Sequence, residues 1–283
     1  MDYLNLGCMY RYHPDWTNVD IVSTGESVIA HDLTQGIPFP DASFDVVYHS
    51  HLLEHIPKTE AESFLKECRR VLRPQGVLRI VVPDLEQIAR TYLIALEQAS
   101  SGSQEWASNY DWILLEMYDM TVRNESGGEM AAYLAREKIA EKFVEKRCGI
   151  PIQKWRNDLL EKSTQLKSVS IQESQLQHFL KRIHWFFSDP GYRKHRLLKS
   201  LLGKKEYKAL QIGRLRQSGE LHQWMYDRYS LTLLLEKCGL ENIVQQSATE
   251  SYLKNWTSFN LDTEADGTIY KPDSLYIEAT KKS

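Results

Sequence analysis

The sequence predicts an α/β protein built on a mostly parallel sheet, and three observations predict it. Over residues 1–98, short runs rich in Val and Ile alternate with turns and helical patterns, as strands buried on both faces do. Helix starts with capping signals fall between and after those runs, so the strands are joined by crossovers rather than tight hairpins. The chain then ends with a helix and two further strand-like runs, the pattern of an antiparallel hairpin on a sheet edge.

Strand candidates in order are Tyr3–Gly7, Asn18–Ile21, Val28–His31, Phe44–Tyr48 and Val77–Pro83. Thr59-Glu60-Ala61-Glu62 reads as a capping box, a threonine and a glutamate placed to satisfy each other's free amides. The helix it opens carries Phe64, Leu65, Cys68, Val71 and Leu72 at helical spacing and stops before Pro74 and Gly76. Asp84, followed by Gln87, opens a second helix through Ile88, Tyr92 and Leu96. From about 99 to 220 the alternation breaks. Ser126-Gly127-Gly128-Glu129 is another capping box, its helix ending at Gly149 ahead of Pro151, and helix is expected again over Gln172–Phe187 and around Tyr192–Lys205. The last stretch predicts a helix over Ser230–Lys237, closed by Gly239, then strands over Asn242–Thr249 and Leu275–Thr280.

The chain of 283 residues, 42% hydrophobic and 26% charged, has ample material for a globular core. A net charge of −3 and a pI near 6.3 argue against a dedicated nucleic-acid binder, and no DNA-binding motif is present. No apolar run approaches the ~18 residues of a membrane span, and no basic-then-apolar leader opens the sequence. Cys8, Cys68, Cys148 and Cys238 are scattered, with no C-x-x-C pair, which fits reduced thiols in a cytoplasmic protein.

One stretch carries chemistry openly. In "HSHLLEHIP", His51, Glu54 and His55 spell H-x-x-E-H, the inverted zinc-protease signature. A zinc hydrolase of that kind needs both histidines in one helix and a third ligand elsewhere. Here the first histidine falls at a strand-to-helix junction, and Pro57 disfavours helix at Ile56. The plainer alternative is that Glu54 and His55 satisfy a helix start and the loop below it. No metal site is assigned.

The strand before it gives that stretch an address. His49, Ser50 and His51 lie where a buried strand runs out at its carboxyl end, the place where open α/β sheets bind ligands. The strings "IPFPDASFDVVYHSHLLEHI" and "ECRRVLRPQGVLRIVVPD", in that order and spacing, resemble the class I S-adenosylmethionine-dependent methyltransferases, in particular the group called methyltransferase type 11. "YLNLGCMY" corresponds to their first strand and glycine loop, and the C-terminal helix and hairpin also fit. The resemblance spans residues 3–98 and, more loosely, 222–280, and implies a Rossmann-like sheet and S-adenosylmethionine as cofactor. It implies that Gly7 and Cys8 approach the cofactor, that Asp20 receives the ribose hydroxyls, that Asp32 and Leu33 meet the adenine, and that His49, Ser50 and His51 border the methionine portion. Asp20 reads equally as a strand-end turn residue. Met9 stands where the family prefers a second glycine, and only about ten residues separate this loop from the next strand, at the lower limit for a parallel crossover. A shortened first helix, or a loop using Tyr10, Tyr12 and Trp16, is expected there.

Methyl transfer from a sulfonium is an in-line displacement, and positioning the acceptor supplies much of the rate. If a proton must leave, His51 and His55 are candidate bases. His222, Trp224, Tyr226 and Asp227 cluster before the last helix, with His222 and Tyr226 the catalytic candidates; a buried aromatic hinge is the alternative. From Lys181 to Arg216, eleven lysines and arginines face two acids, a local charge of +9. Three readings compete: a solvated helix packed through Leu197, Leu198, Leu201 and Leu202, a rim for a phosphate- or carboxylate-bearing substrate, or attachment to an anionic membrane surface.

The expected architecture is therefore a methyltransferase-like core of residues 1–98 and 220–283, interrupted by a helical cap over 99–219. The expected activity is methyl transfer to an oxygen or nitrogen of a small-molecule or saccharide-like acceptor. Two rivals stay open: a non-catalytic methyltransferase-like protein that binds partners through its cap, and the zinc hydrolase.

Overall fold

The computed structural model describes residues 1–169, 184–185 and 187–283. Seven strands, β1 (Tyr3–Leu6), β2 (Thr17–Asp20), β3 (Val28–Ala30), β4 (Phe44–Ser50), β5 (Leu72–Pro83), β6 (Leu240–Gln246) and β7 (Ser274–Lys281), form one sheet in the order β3-β2-β1-β4-β5-β7-β6. The first five run parallel; β7 lies antiparallel between β5 and β6. The predicted C-terminal hairpin is thus present at the sheet edge. Strand order reverses between β1 and β4, and the carboxyl end of that switch point is where Gly7 and Leu52 meet.

Period-two alternation builds two different faces. Leu4, Leu6, Val47, Leu78, Ile80 and Ile277 point to one side, where α1 (Lys58–Val71) and α7 (Arg228–Lys237) cover them with Phe64, Leu65, Cys68, Leu231 and Leu235. On the opposite face Val46, Tyr48, Val81 and Tyr276 are covered by Trp16, Leu253, Trp256 and Leu261, supplied by the segment between β1 and β2 and by the segment between β6 and β7, which holds a short 3-10 turn at Trp256–Phe259. Arg79 sits fully buried on this side, bonded to Asp262 at 2.8 Å and Glu278 at 2.9 Å, with Tyr48 and Trp256 also donating to Asp262.

Several predicted starts form differently. α1 begins at Lys58 behind Pro57 with no side-chain cap, so the Thr59–Glu62 box is not made. Asp84 does cap α2 (Leu85–Ser100), accepting from the Gln87 amide at 3.1 Å, and Asp227 with Ser230 forms a reciprocal box at α7. The loop between β1 and β2 carries no helix. Asn5 and Asn18, both buried, pin it through the Arg11, His13 and Trp16 carbonyls, and Trp16 stacks on Tyr3 at 4.9 Å. Tyr10 stays exposed.

Between β5 and α7 the described chain is helical: α2, α3 (Gln104–Val122), α4 (Gly128–Leu134), α5 (Glu141–Val169) and α6 (Pro190–Arg216). The predicted helix running from Gly128 to Gly149 is two elements. α4 ends at Leu134, and its free amides at Glu129 and Met130 are taken by the Asp119 carboxylate rather than by the Ser126 box. Trp112, Met130, Tyr133, Leu134, Val144 and Ile152 form a core of their own. Gly149 breaks α5 at φ 66° and lies so close to the 270–272 segment that a Cβ would strike the Tyr270 carbonyl and the Pro272 ring. That contact sets the helices over the strand ends. α6 shows Leu197, Leu201 and Leu202 exposed and only Tyr207 buried, so packing through its leucines is not what the described residues show. The helix expected over Gln172–Phe187 falls almost wholly outside the described residues.

Candidate active site

Gly7, at the end of β1, takes φ 65° and donates its amide to the Val19 carbonyl at 2.8 Å. The Leu52 side chain lies 3.0 Å from where a Cβ at Gly7 would stand, so glycine lets the loop and the "HSHLLEH" turn pack together. Met9 adopts φ 43°, the left-handed conformation its family position calls for, although it is no glycine. Its amide donates to Asp20 Oδ2 at 2.8 Å, and Asp20 Oδ1 takes no partner among the described residues. Cys8 is buried beside it, its thiol pushed up to about 12 by burial and then by the Asp20 charge, so it stays protonated. Asp32 caps a short turn over Leu33–Gln35 through one oxygen, which holds its carboxyl below the ordinary range. Gly7, Cys8, Asp20, Asp32 and Leu33 therefore line up along the carboxyl ends of β1, β2 and β3.

β4 delivers the histidines unequally. The His49 ring points into the core against Phe64, 5.4 Å between ring centres, and burial lowers its pKa to about 4. It is a neutral interior group, so any ligand contact from this position comes from elsewhere than the imidazole. Ser50 ends the strand. His51 follows at φ 52°, its Nδ1 3.1 Å from Glu54 Oε1 and its Nε2 2.9 Å from Ser274 Oγ. Burial and Lys271 lower its pKa to about 4, so it is neutral at pH 7; facing a carboxylate, Nδ1 keeps the proton and Nε2 accepts from Ser274. Leu53–His55 is only a single 3-10 turn. The H-x-x-E-H histidines are therefore not stacked on one helical face, which removes the geometry a zinc protease would require.

Glu54 lies beneath, wholly buried, its carboxyl held far below the usual range despite burial by His51 and His55. The His51 approach is close but poorly directed, so neither carboxylate oxygen receives a proper hydrogen bond. The Glu54 carbonyl accepts from Gln223 N at 2.6 Å and Trp224 N at 3.2 Å, which draws the 222–226 segment to the site. His222 thereby stacks edge-on against His55, ring centres 4.9 Å apart, and burial drops its pKa to about 3. Tyr226 goes inward instead: it belongs to the main core, bridges to Asp84, and its buried hydroxyl has no partner. That matches the hinge alternative better than a group in reach of substrate.

A cavity of about 250 Å³ opens above these residues. The sheet side contributes His51, Pro83, Lys271 and Asp273, the 222–226 segment His222 and Met225, and the helices Met120, Met130, Ile152 and Trp155. Asp273, at the foot of β7, was missed in sequence. Burial and neighbouring Glu116 raise its carboxyl to about 6, and its Oδ1 is buried without a partner. Lys271 is pushed the other way by burial. The available signal was "YKPDSLY", a charged pair around a proline directly before an apolar strand. None of the described basic residues of α6 lines the cavity.

The sheet has one strand antiparallel to the rest, and a positive-φ loop lies beside an acid at the end of β2. Residues 16–80 match the methyltransferase domain family model. Through this segment the chain is similar to S-adenosylmethionine-dependent methyltransferases. A curated relative from Mycolicibacterium smegmatis, named a probable S-adenosylmethionine-dependent methyltransferase, is 41% identical across 29% of this chain and 38% of its own length. A relative of the same description from Mycobacterium tuberculosis is 32% identical across 29% of this chain and 36% of its own. The match thus spans under two fifths of either relative. Among solved structures, a SAM dependent methyltransferase from Archaeoglobus fulgidus is similar at 12% identity, over 99% of this chain and 86% of that one, with a TM-score of 0.37. S-adenosylmethionine is the methyl donor that the names of these relatives carry. Among the described residues no helix is long and apolar enough to cross a membrane.

Proposed function

We propose that this protein transfers the methyl group of S-adenosylmethionine to an oxygen or nitrogen of a small molecule held in the 250 Å³ cavity. Residues 1–98 and 220–283 would act as the catalytic core and 99–219 as a cap that shapes the acceptor pocket. One observation carries the reading: His51 belongs both to the strand-end turn packed on Gly7 through Leu52 and to the cavity wall. A methyl donor along the strand ends and an acceptor in the cavity would meet at that residue. The cradle fits the cofactor, because Gly7 and Met9 adopt the conformations a close backbone approach needs and Asp20 keeps one oxygen open for a hydroxyl. When bound, S-adenosylmethionine supplies an electrophilic methyl group on a sulfonium.

Asp273 is the best-matched proton acceptor in the wall, since a group near 6 is half-ionised close to neutral pH, whereas His51 and His222 lie far below. The apolar wall of Met120, Met130, Ile152 and Trp155 would exclude water from the acceptor. Calorimetric titration with S-adenosylhomocysteine tests the cofactor half. Micromolar binding by the wild type, lost in Asp20→Ala, is expected; a folded wild type that does not bind would leave only a partner-binding scaffold.

A further inference from the structure

We propose that Glu54, His55 and His222 form a binding site for one divalent transition-metal ion of the zinc type, at the edge of the cavity. One ligand atom from each residue lies within 4.8 Å of the other two, so a small inward shift brings all three to one ion. Sequence places them far apart. The fold joins them through the two amides of Gln223 and Trp224 bonded to the Glu54 carbonyl, which fix His222 opposite the 3-10 turn.

The second observation is the state of Glu54. Its side chain is 0% exposed, and both carboxylate oxygens are buried without a hydrogen-bond donor among the described residues. A buried carboxyl group is costly unless a cation or good donors face it. His51 Nδ1 lies 3.1 Å from one of them but off the hydrogen-bond axis, so a cation would meet a demand that the described residues leave open. His55 shows the outer contact typical of a metal-bound imidazole: its Nδ1 lies 3.1 Å from the Leu221 carbonyl, which takes the proton there and leaves Nε2 with its lone pair. Two imidazoles and one carboxylate suit zinc, cobalt or ferrous iron better than magnesium or calcium, which prefer all-oxygen sets. Three protein ligands would leave a fourth position for water or for a donor atom from the cavity that His222 lines. The other cluster of metal-capable groups, Glu116, Cys148 and Asp273, offers less, because Glu116 is already held by Trp112 and by Arg147 at 2.6 Å.

Binding of the ion stands apart from methyl transfer and is tested separately. The purified full chain, stripped with chelator, would be dialysed against Zn²⁺ or Mg²⁺ and its metal content measured. Uptake of one Zn²⁺ per chain and no Mg²⁺ is expected. His55→Asn and His222→Asn should each weaken zinc binding roughly a hundredfold, while His13→Asn, a histidine outside the site, should leave it unchanged. Circular dichroism would check that each variant is folded. If a variant unfolds, the visible spectrum of the Co²⁺-loaded wild type decides: intense bands of a four-coordinate nitrogen–oxygen site, abolished by equimolar Zn²⁺, support the site. Absence of stoichiometric zinc in the folded wild type, octahedral cobalt bands, or uptake indifferent to both histidine changes would overturn it. S-adenosylhomocysteine binding by the metal-stripped protein separates this failure from failure of the methyl-transfer reading.

Discussion

Replacing Asp273 by asparagine should abolish activity and yet stabilise the fold at neutral pH. The Asp273 carboxyl is held at about 6 against an ordinary 3.8, first by burial and then by Glu116, with Lys271 and Arg147 restoring only part. A group whose folded pKa is raised contributes stability fully below its unfolded pKa and loses it as pH rises through the folded one. The relevant window is therefore pH 3.8 to about 6. At about 1.4 kcal/mol for each pH unit between the two titrations, ionising Asp273 costs the native state up to about 3 kcal/mol at pH 7. Its side chain is partly exposed and is attracted to Lys271, so a gain of about 1–2 kcal/mol is the realistic expectation for Asp273→Asn. Urea denaturation at pH 7 should show a higher midpoint with an unchanged slope, and the advantage should vanish near pH 4. In the methyl-transfer assay the wild-type rate should fall as pH drops below about 6, while the variant stays inactive throughout. A variant less stable than wild type at pH 7, or one that keeps the acid limb of the rate profile, would refute the assignment of Asp273 as a strained, functional carboxylate.

Two further outcomes follow from packing. Gly7→Ala must hold alanine at φ 65°, worth roughly 1–2 kcal/mol, and push Leu52 away from its 3.0 Å position; stability should drop by about that amount and S-adenosylhomocysteine binding should weaken about tenfold. Unchanged binding by calorimetry would mean that the glycine loop and the His51 turn are independent. Arg79→Ala strands Asp262 and Glu278 in the sheet's second face and should cost roughly 3–5 kcal/mol in urea denaturation, a loss under about 1 kcal/mol showing instead that water reaches those carboxylates.

The elements that local chemistry fixes were legible. Strands of β-branched residues, the Asp84 and Asp227 caps, and the loop in place of a first helix can be read from residue types and spacing. The two capping boxes that failed had the right letters but lost the competition. Pro57 sets the start of α1 one residue before Thr59, and the carboxylates of Asp119 and Glu220 reach the α4 amides from other elements. The site divides in the same way. Gly7, Asp20 and His51 announce themselves through motif order, whereas Asp273, Lys271 and the cavity's methionines come together only because Gly149 lets α5 touch the 270–272 segment. His49 alternates with Tyr48, which turns its ring to the helix-covered face, whereas its strand-end position suggested a rim.

Met9 raised the sharpest doubt about the cofactor site, and the structure shows why a non-glycine can stand there. A left-handed residue costs roughly 1–2 kcal/mol, and a hydrogen bond to an ionised acceptor returns roughly 1.5–3 kcal/mol. The Met9 amide makes such a bond to Asp20 Oδ2, so the acid proposed above to meet a ribose also holds the loop in shape. The side chain of Met9 is 61% exposed and is not asked to fit any interior space. Only the backbone conformation matters at this position, and Asp20 enforces it. On the proposed cofactor reading, Asp20 has two duties, one per oxygen. An asparagine there keeps an oxygen for the Met9 amide and loses the charge. Asp20→Asn should thus keep the loop and bind S-adenosylhomocysteine more tightly than Asp20→Ala, which loses both duties at once.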